Sequence, residues 1–417
     1  LNPLYEQMET SVFERMSLAA AKHGAVNLGQ GFPDFGWPPE ILEAAAKAVV
    51  EGSNQYAPSR GLPALREAVA SHYSRHQGLD LNIENICVTS GATEALAAAI
   101  LATVEPGDEV VVFTPAYDAY APLIRRAGGT PVEVALQPPA WRIERAALEA
   151  AFSPRMRAIV FNNPHNPTGR LFDLDELAVV AEFAVVNDLI VISDEVWEHI
   201  VLPCAGGERD RSEGGTAAGP GEGVHPPSIR GAASALQGRF VPIASLAGME
   251  KRTLKCGSAG KIFSLTGWKI GWLVASSELA RLAARAHQFL TFASAPNLQQ
   301  AVAYGLAEGD AWLQPMRERF ARARDRMTSG LDAAGFAVLP STSTYFLCVD
   351  LAASGIGLDD ETFARRAVEQ AGVAVVPLSP FAEQDPPRHM IRLCFAKRDE
   401  TIDAGVEAMA QARKLMK

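Results

Sequence analysis

Blocks of consecutive basic residues are missing from this 417-residue chain, whose formal net charge is −10. Nucleic-acid binding draws its affinity from clustered Lys and Arg, so a phosphate-backbone partner is not expected. Long apolar runs are missing too. Ala95–Val104 and Leu177–Val186 stop short of the roughly 18–20 residues that span a bilayer, so no membrane partner is expected. The first residues, Leu-Asn-Pro-Leu-Tyr-Glu-Gln-Met, carry no charged segment leading into an apolar one, and the expectation is a cytoplasmic protein without a signal peptide. Cysteine is scarce: five residues at wide spacings, with no C-x-x-C pair and no nearby histidine set to hold a metal. They read as buried free thiols, and Cys87, Cys348 and Cys394 lie in apolar strand-like runs where a thiol behaves as a small hydrophobe.

What is present is an ordinary globular composition, 48% hydrophobic and 21% charged, on a chain two to three times the common domain length. Short β-rich runs at Asn85–Thr89, Glu109–Thr114, Thr130–Val134, Ala158–Asn162, Leu189–Ser193, Leu254–Gly257 and Gly271–Ala275 alternate with longer segments. Thr93–Thr103, Asp118–Ala127, Arg145–Phe152 and Asp173–Asn187 among those segments have helical patterns. Near-continuous apolar strands separated by helices predict an α/β fold, a doubly wound and mostly parallel sheet over residues 41–295. From residue 296 the texture changes to long amphipathic helices and then to strand-like Phe336–Leu339, Tyr345–Val349, Val373–Val376 and His389–Phe395. This predicts a smaller α+β domain over 296–417, with the arm 1–40 packing against it.

Glycine and proline together number 61, slightly above the usual share of about 12%. Thirteen of them fall within Pro203–Gly238, where Val224, Ile229 and Leu236 are the only large aliphatics. Such a segment buries too little apolar surface to offset the entropy of ordering, and it reads as a flexible insertion.

Four clusters carry candidate chemistry. Ser258-Ala259-Gly260-Lys261 places a lysine among small residues that leave room for a flat ring, although a lysine in such a loop is also an ordinary surface residue. Asp194, in Ser193-Asp194-Glu195-Val196-Trp197, ends an apolar strand, where an open α/β sheet places its ligand crevice and where helix N-caps also occur. Asn162-Asn163-Pro164-His165-Asn166-Pro167-Thr168-Gly169 follows another strand and fits either a crevice-facing amide or plain turn chemistry. Thr89-Ser90-Gly91-Ala92-Thr93-Glu94-Ala95 is a strand, a tight turn and a helix start, suited to a phosphate, with simple capping by Ser90 or Thr93 as the alternative.

Taken together and in this order, the four clusters resemble the pyridoxal 5′-phosphate aminotransferases of class I/II, fold type I. Asn27-Leu28-Gly29-Gln30-Gly31-Phe32-Pro33, Asn54-Gln55-Tyr56, Thr344-Tyr345-Phe346 and Ile391-Arg392-Leu393 extend the likeness toward the kynurenine, glutamine and methionine aminotransferase branch. The resemblance covers nearly the whole chain outside 203–238. It implies a Schiff-base and proton-transfer role for Lys261, with Asp194 beside the pyridine nitrogen and Asn166 on the cofactor's phenolic oxygen. It further implies that Tyr117 stacks on the ring and that Ala92, Thr93, Ser258 and Lys269 hold the phosphate. Tyr56 would reach the phosphate of a partner subunit, making a homodimer with shared active sites. Arg392 would clamp the α-carboxylate of the amino acid and 2-oxo acid substrates, with Gly31, Asn166, Phe292 and Phe346 around it. The implied activity is transamination of a neutral, aromatic or sulfur-containing amino acid. A C–S β-lyase using the same residues and N-succinyldiaminopimelate as a variant substrate stay open.

Two departures from the family pattern stand out. Trp197 occupies the place of a tyrosine that usually donates to the cofactor oxygen, so the imine proton is expected to be held more firmly. The second is spacing: Asp194 and Lys261 lie 67 positions apart, about twice what the resemblance implies, and removing 203–238 restores it. Excision of roughly residues 205–237 is therefore expected to leave transamination intact.

Overall fold

The computed structural model describes residues 1–6, 8, 10–203, 238–308 and 310–417. In chain order the strands are β1 (Val26–Asn27), β2 (Ile86–Ser90), β3 (Glu109–Thr114), β4 (Thr130–Ala135), β5 (Met156–Asn162), β6 (Ile190–Asp194), β7 (Thr253–Ser258) and β8 (Ile270–Val274). There follow β9 (Ala337–Val338), β10 (Phe346–Asp350), β11 (Val373–Ala374), β12 (Val376–Pro377) and β13 (Met390–Cys394).

Seven strands make the large sheet in the order β2-β8-β7-β6-β5-β3-β4. Only β8 runs antiparallel to its neighbours, between β2 and β7. A two-residue period assigns each strand's side chains to opposite cores. Val110, Val112, Ala158, Val160 and Ile192 pack with Ala95, Leu96 and Ile100 of the helix Gly91–Thr103. Val111, Phe113, Ile159, Phe161 and Val191 pack on the other face with Leu177, Val180 and Phe183 of the helix Leu174–Val186. Helices on both faces explain why these strands read as continuous apolar runs. Asp173 starts the second helix with a reciprocal capping box: its carboxylate accepts the Glu176 N–H while Glu176 accepts the Asp173 N–H.

β12-β13-β10-β9 form an antiparallel sheet, and β1 pairs with β11 in parallel. The apolar run Val373–Val376, expected to be one strand, serves two sheets: Val373 and Ala374 pair with β1, whereas Val376 and Pro377 pair with β13. This ties the arm 1–40 to the C-terminal third. Long helices Asp310–Ala333 and Asp399–Met416 pack over the antiparallel sheet.

Cys87, Cys256, Cys348 and Cys394 are buried and unpaired, while Cys204 and the rest of the proposed insertion between Pro203 and Gly238 lie outside the described residues. Among the described residues no helix is long and apolar enough to cross a membrane.

Candidate active site

Five parallel strands each end in one of the motifs picked out above. β2 delivers Ser90 to a helix start, β3 leads to Tyr117, β5 to Asn166, β6 to Asp194 and Trp197, and β7 to Ser258 and Lys261. Carboxyl ends of parallel strands open into a crevice because the following helices turn away from it. Ala92, Thr93, Tyr117, Asn166, Asp194, Trp197, Ser258, Lys261 and Lys269 line a single cavity of about 210 Å³.

One pole of the cavity suits a phosphate. Helix Gly91–Thr103 presents its N-terminus there, and the Ser90 side chain makes no cap bond. Gly91 adopts φ +74°, and a Cβ on it would lie 3.1 Å from Lys269 Nζ. Gly271 is required for the same close approach, since its Cβ would stand 2.7 Å from the Ala92 nitrogen. Free N–H groups, a lysine and the Ser258 hydroxyl thus converge on one small space.

The floor is Asp194, only 5% exposed. It accepts the Tyr120 hydroxyl at 2.6 Å and the Val196 N–H at 3.4 Å, and it makes no ion pair among the described residues. Burial therefore pushes its carboxyl above the usual range, with Tyr120 and Val196 offsetting only part. A buried carboxylate that lacks a cation fits a protonated pyridine nitrogen. Opposite it, burial brings the Lys261 amine down to about 8. Lys261 Nζ lies 3.1 Å from the Tyr345 hydroxyl and 4.5 Å from the centre of the Trp197 ring. Among the described residues the Trp197 indole N–H donates to no acceptor, and its ring meets Tyr345 edge-on at 4.4 Å.

At the mouth, Arg392 is fully buried and its guanidinium is sandwiched between Phe346, 3.9 Å away, and Phe13, 4.8 Å away. It donates to Asn166 Oδ1 at 2.8 Å and to the Gly29 carbonyl at 3.0 Å, while its Nε has no partner among the described residues. Asn166 Oδ1 is thereby occupied, which leaves its Nδ2 to face the cavity as a donor. Gly31 sits where a Cβ would touch Phe346, and its carbonyl accepts the Tyr345 hydroxyl at 2.5 Å.

Tyr56, expected at a partner subunit's phosphate, and Phe292, expected as an apolar wall, stand together on the surface. Tyr56 is 89% exposed, and Phe292 packs edge-on against it at 5.7 Å; neither lines the cavity of its own chain. Three residues at the site had been assigned no role from the sequence. Tyr345 sits inside the matched Thr-Tyr-Phe motif, and Tyr120 follows Tyr117 by one helical turn, so both carried a local signal. Phe13, brought from the N-terminal helix Val12–His23, carried none.

A reactive lysine facing a buried, cation-deficient carboxylate, with a phosphate cup beside them, meets the needs of a lysine-bound pyridoxal 5′-phosphate, and the surrounding fold is that of the fold type I enzymes. Residues 23–409 match the family described as aminotransferase class I and II. The chain belongs to that family, and it is a transaminase that uses pyridoxal 5′-phosphate. A probable N-succinyldiaminopimelate aminotransferase of Mycobacterium tuberculosis is 40% identical over 414 residues, 96% of each chain. The methionine aminotransferase of Escherichia coli is 37% identical over 407 residues, 97% of this chain and 96% of that one. Among solved structures, N-succinyldiaminopimelate aminotransferase from M. tuberculosis superposes with a TM-score of 0.87 at 40% identity, covering 98% of this chain and 99% of that chain.

Proposed function

We propose that the enzyme accepts a neutral, aromatic or sulfur-containing amino acid and passes its amino group to a 2-oxo acid in a ping-pong cycle. The setting of Arg392 carries this reading. Its planar fork offers one α-carboxylate two parallel hydrogen bonds, and the walls beside it are the apolar faces of Phe13 and Phe346. The cations farther out are already engaged, Arg125 by Glu383 at 2.5 Å and Arg15 by Glu361 at 3.9 Å, whereas Asp118 stands at the mouth as a carboxylate held by the Ser11 hydroxyl. A side chain without a second carboxylate fits this surface best.

Pyridoxal 5′-phosphate, when bound, supplies the electron-accepting ring that stabilises the charge left at Cα. Lys261 would take the Cα proton and deliver it to the cofactor's C4′, two atoms along, which a lysine with its amine near 8 does well at neutral pH. Asp194 keeps the ring nitrogen protonated, Asn166 donates from Nδ2, and Tyr117 covers one ring face. Ala92, Thr93, Ser258 and Lys269 hold the phosphate. Tyr56 and Phe292, exposed together, reach the cavity of a second copy in a homodimer. In this reading residues 41–295 carry the cofactor, and 1–40 with 296–417 supply the carboxylate clamp.

A second reading, N-succinyldiaminopimelate as donor, is favoured by the 40% identity to the M. tuberculosis relative. A donor panel covering methionine, kynurenine, glutamine, phenylalanine, N-succinyldiaminopimelate and cystathionine decides, read by the half-reaction absorbance change and by keto-acid and ammonia release. The proposal expects methionine or aromatic donors to lead. N-succinyldiaminopimelate alone would overturn it in favour of the second reading, and stoichiometric ammonia would make the enzyme a lyase.

A further inference from the structure

Behind the phosphate pole lies a buried pair that the mechanism does not use. Glu94 stands in the first turn of the helix Gly91–Thr103, and its Oε2 accepts the Ser90 N–H immediately before the cup. Its Oε1 accepts the Thr291 hydroxyl at 2.5 Å and faces His287 Nδ1 at 2.7 Å. The other ring nitrogen, His287 Nε2, faces the Ser59 carbonyl at 2.7 Å. Both ring nitrogens therefore meet oxygens that only accept. A neutral imidazole has one N–H and would aim a lone pair at one of them, so the ring satisfies both only as the doubly protonated cation. The backbone carbonyl of His287 also receives the Leu290 and Phe292 N–H groups.

From this geometry we propose that His287 is a positioning residue for the cofactor phosphate: as a cation it cancels the charge of Glu94, which would otherwise stand one helical turn from a bound dianion. The inference rests on the phosphate placement proposed above. Glu94 is needed where it is because the Ser90 side chain leaves the helix start uncapped, yet a bare carboxylate there opposes an anion at the same helix end. The charge state agrees with the hydrogen bonds, since Glu94 and the Ser59 carbonyl raise the His287 pKa against the opposing pull of burial. The other charged groups nearby are accounted for. Arg60, next to Ser59, pairs with Glu84 at 2.7 Å, and burial pushes the Cys87 thiol up to about 12 so that it stays neutral. Lys269 faces Gly91 from the cavity side.

The pair also joins three parts of the site: the cup, the loop bearing Tyr56, and the turn bearing Phe292. Loss of the proton from His287 leaves the Glu94 charge uncompensated, so phosphate affinity falls as pH rises.

Release of pyridoxamine 5′-phosphate, which makes no covalent bond to Lys261, tests this directly on the holoenzyme. Dissociation constants are measured between about pH 7 and 10, where the phosphate is a dianion throughout, for wild type, His287→Gln, Glu94→Gln, the double variant and Lys269→Gln. Wild type is expected to bind about tenfold more weakly at the alkaline end than Glu94→Gln does, and His287→Gln to show that weakness already at pH 7. The double variant is expected to regain the affinity. A His287→Gln loss that Glu94→Gln does not rescue, or Glu94→Gln tracking wild type at every pH, overturns the charge pairing. If His287→Gln does not fold, the Glu94→Gln comparison still decides. Unchanged affinity in Lys269→Gln would instead overturn the placement of the phosphate itself.

Discussion

Two carboxylates leave the end of strand β6 side by side and meet opposite fates. Asp194 turns into the crevice, where it finds a phenol, one backbone N–H and no cation. Glu195 turns to the back of the sheet, where Lys255 bonds both it and Glu198. There Tyr73 donates to Glu198 at 2.7 Å, Trp272 donates to Tyr73 at 2.8 Å, and the Ser193 hydroxyl donates to Glu195 at 2.7 Å. The rear cluster sets one buried ammonium and the hydroxyls of Tyr73 and Ser193 against its two negative charges. The front cluster is left open. Where buried carboxylates meet a buried cation the network is structural; where a charge is buried without one, a ligand is expected to bring it.

The contrast can be broken from either side, and the largest effect falls at the front. Lys261→Ala should keep the melting temperature but lower kcat by on the order of 10³–10⁴-fold, because it removes the amine proposed to move the Cα proton. A folded variant with kcat within tenfold of wild type would remove Lys261 from the chemistry. At the rear the sign reverses. Lys255→Met leaves buried carboxylates unpaired and should cost about 3–5 kcal/mol in denaturant unfolding, with KM of whatever folds unchanged. A stable variant with raised KM would mean that the rear cluster belongs to the site.

Arg392→Lys retains charge but loses the fork, and kcat/KM should fall about 10²-fold, while the affinity for pyridoxamine 5′-phosphate stays as in wild type. Acidity gives the next measure. An ammonium cannot attack the aldehyde of the cofactor, so uptake of pyridoxal 5′-phosphate should rise about tenfold per pH unit below 8 and level off above it, since burial brings Lys261 down to about 8. A rate still climbing at pH 10 would show an ordinary lysine. Tyr345→Phe removes the hydroxyl bridging Lys261 and Gly31, and about a fivefold loss in kcat is expected from one hydrogen bond.

Legibility from sequence follows the range of the forces involved. All seven strands of the large sheet were readable, most plainly β3, β5 and β6, whose burial on both faces writes itself as consecutive apolar residues. The antiparallel direction of β8 was not, since a strand buried on both faces looks the same in either direction. Motifs attached to a strand end, such as Asp194, Asn166 and Ser258 to Lys261, were readable as units. Phe13 and the Gly29 carbonyl reach Arg392 from more than 360 positions away in the chain, and nothing local announces them. Phe292 shows another limit: the sequence offers it as an apolar wall but does not show that it packs on the exposed Tyr56.

By itself, then, the sequence determined the class of fold and the kinds of groups that hold a cofactor, because strand burial, turn chemistry and a lysine among small residues are local properties. Tertiary structure decided the charge states. Asp194 is short of a cation, Lys261 is drawn toward neutrality, and His287 is held as a cation between two acceptors because residues remote in the chain exclude water from each of them and choose which partners remain.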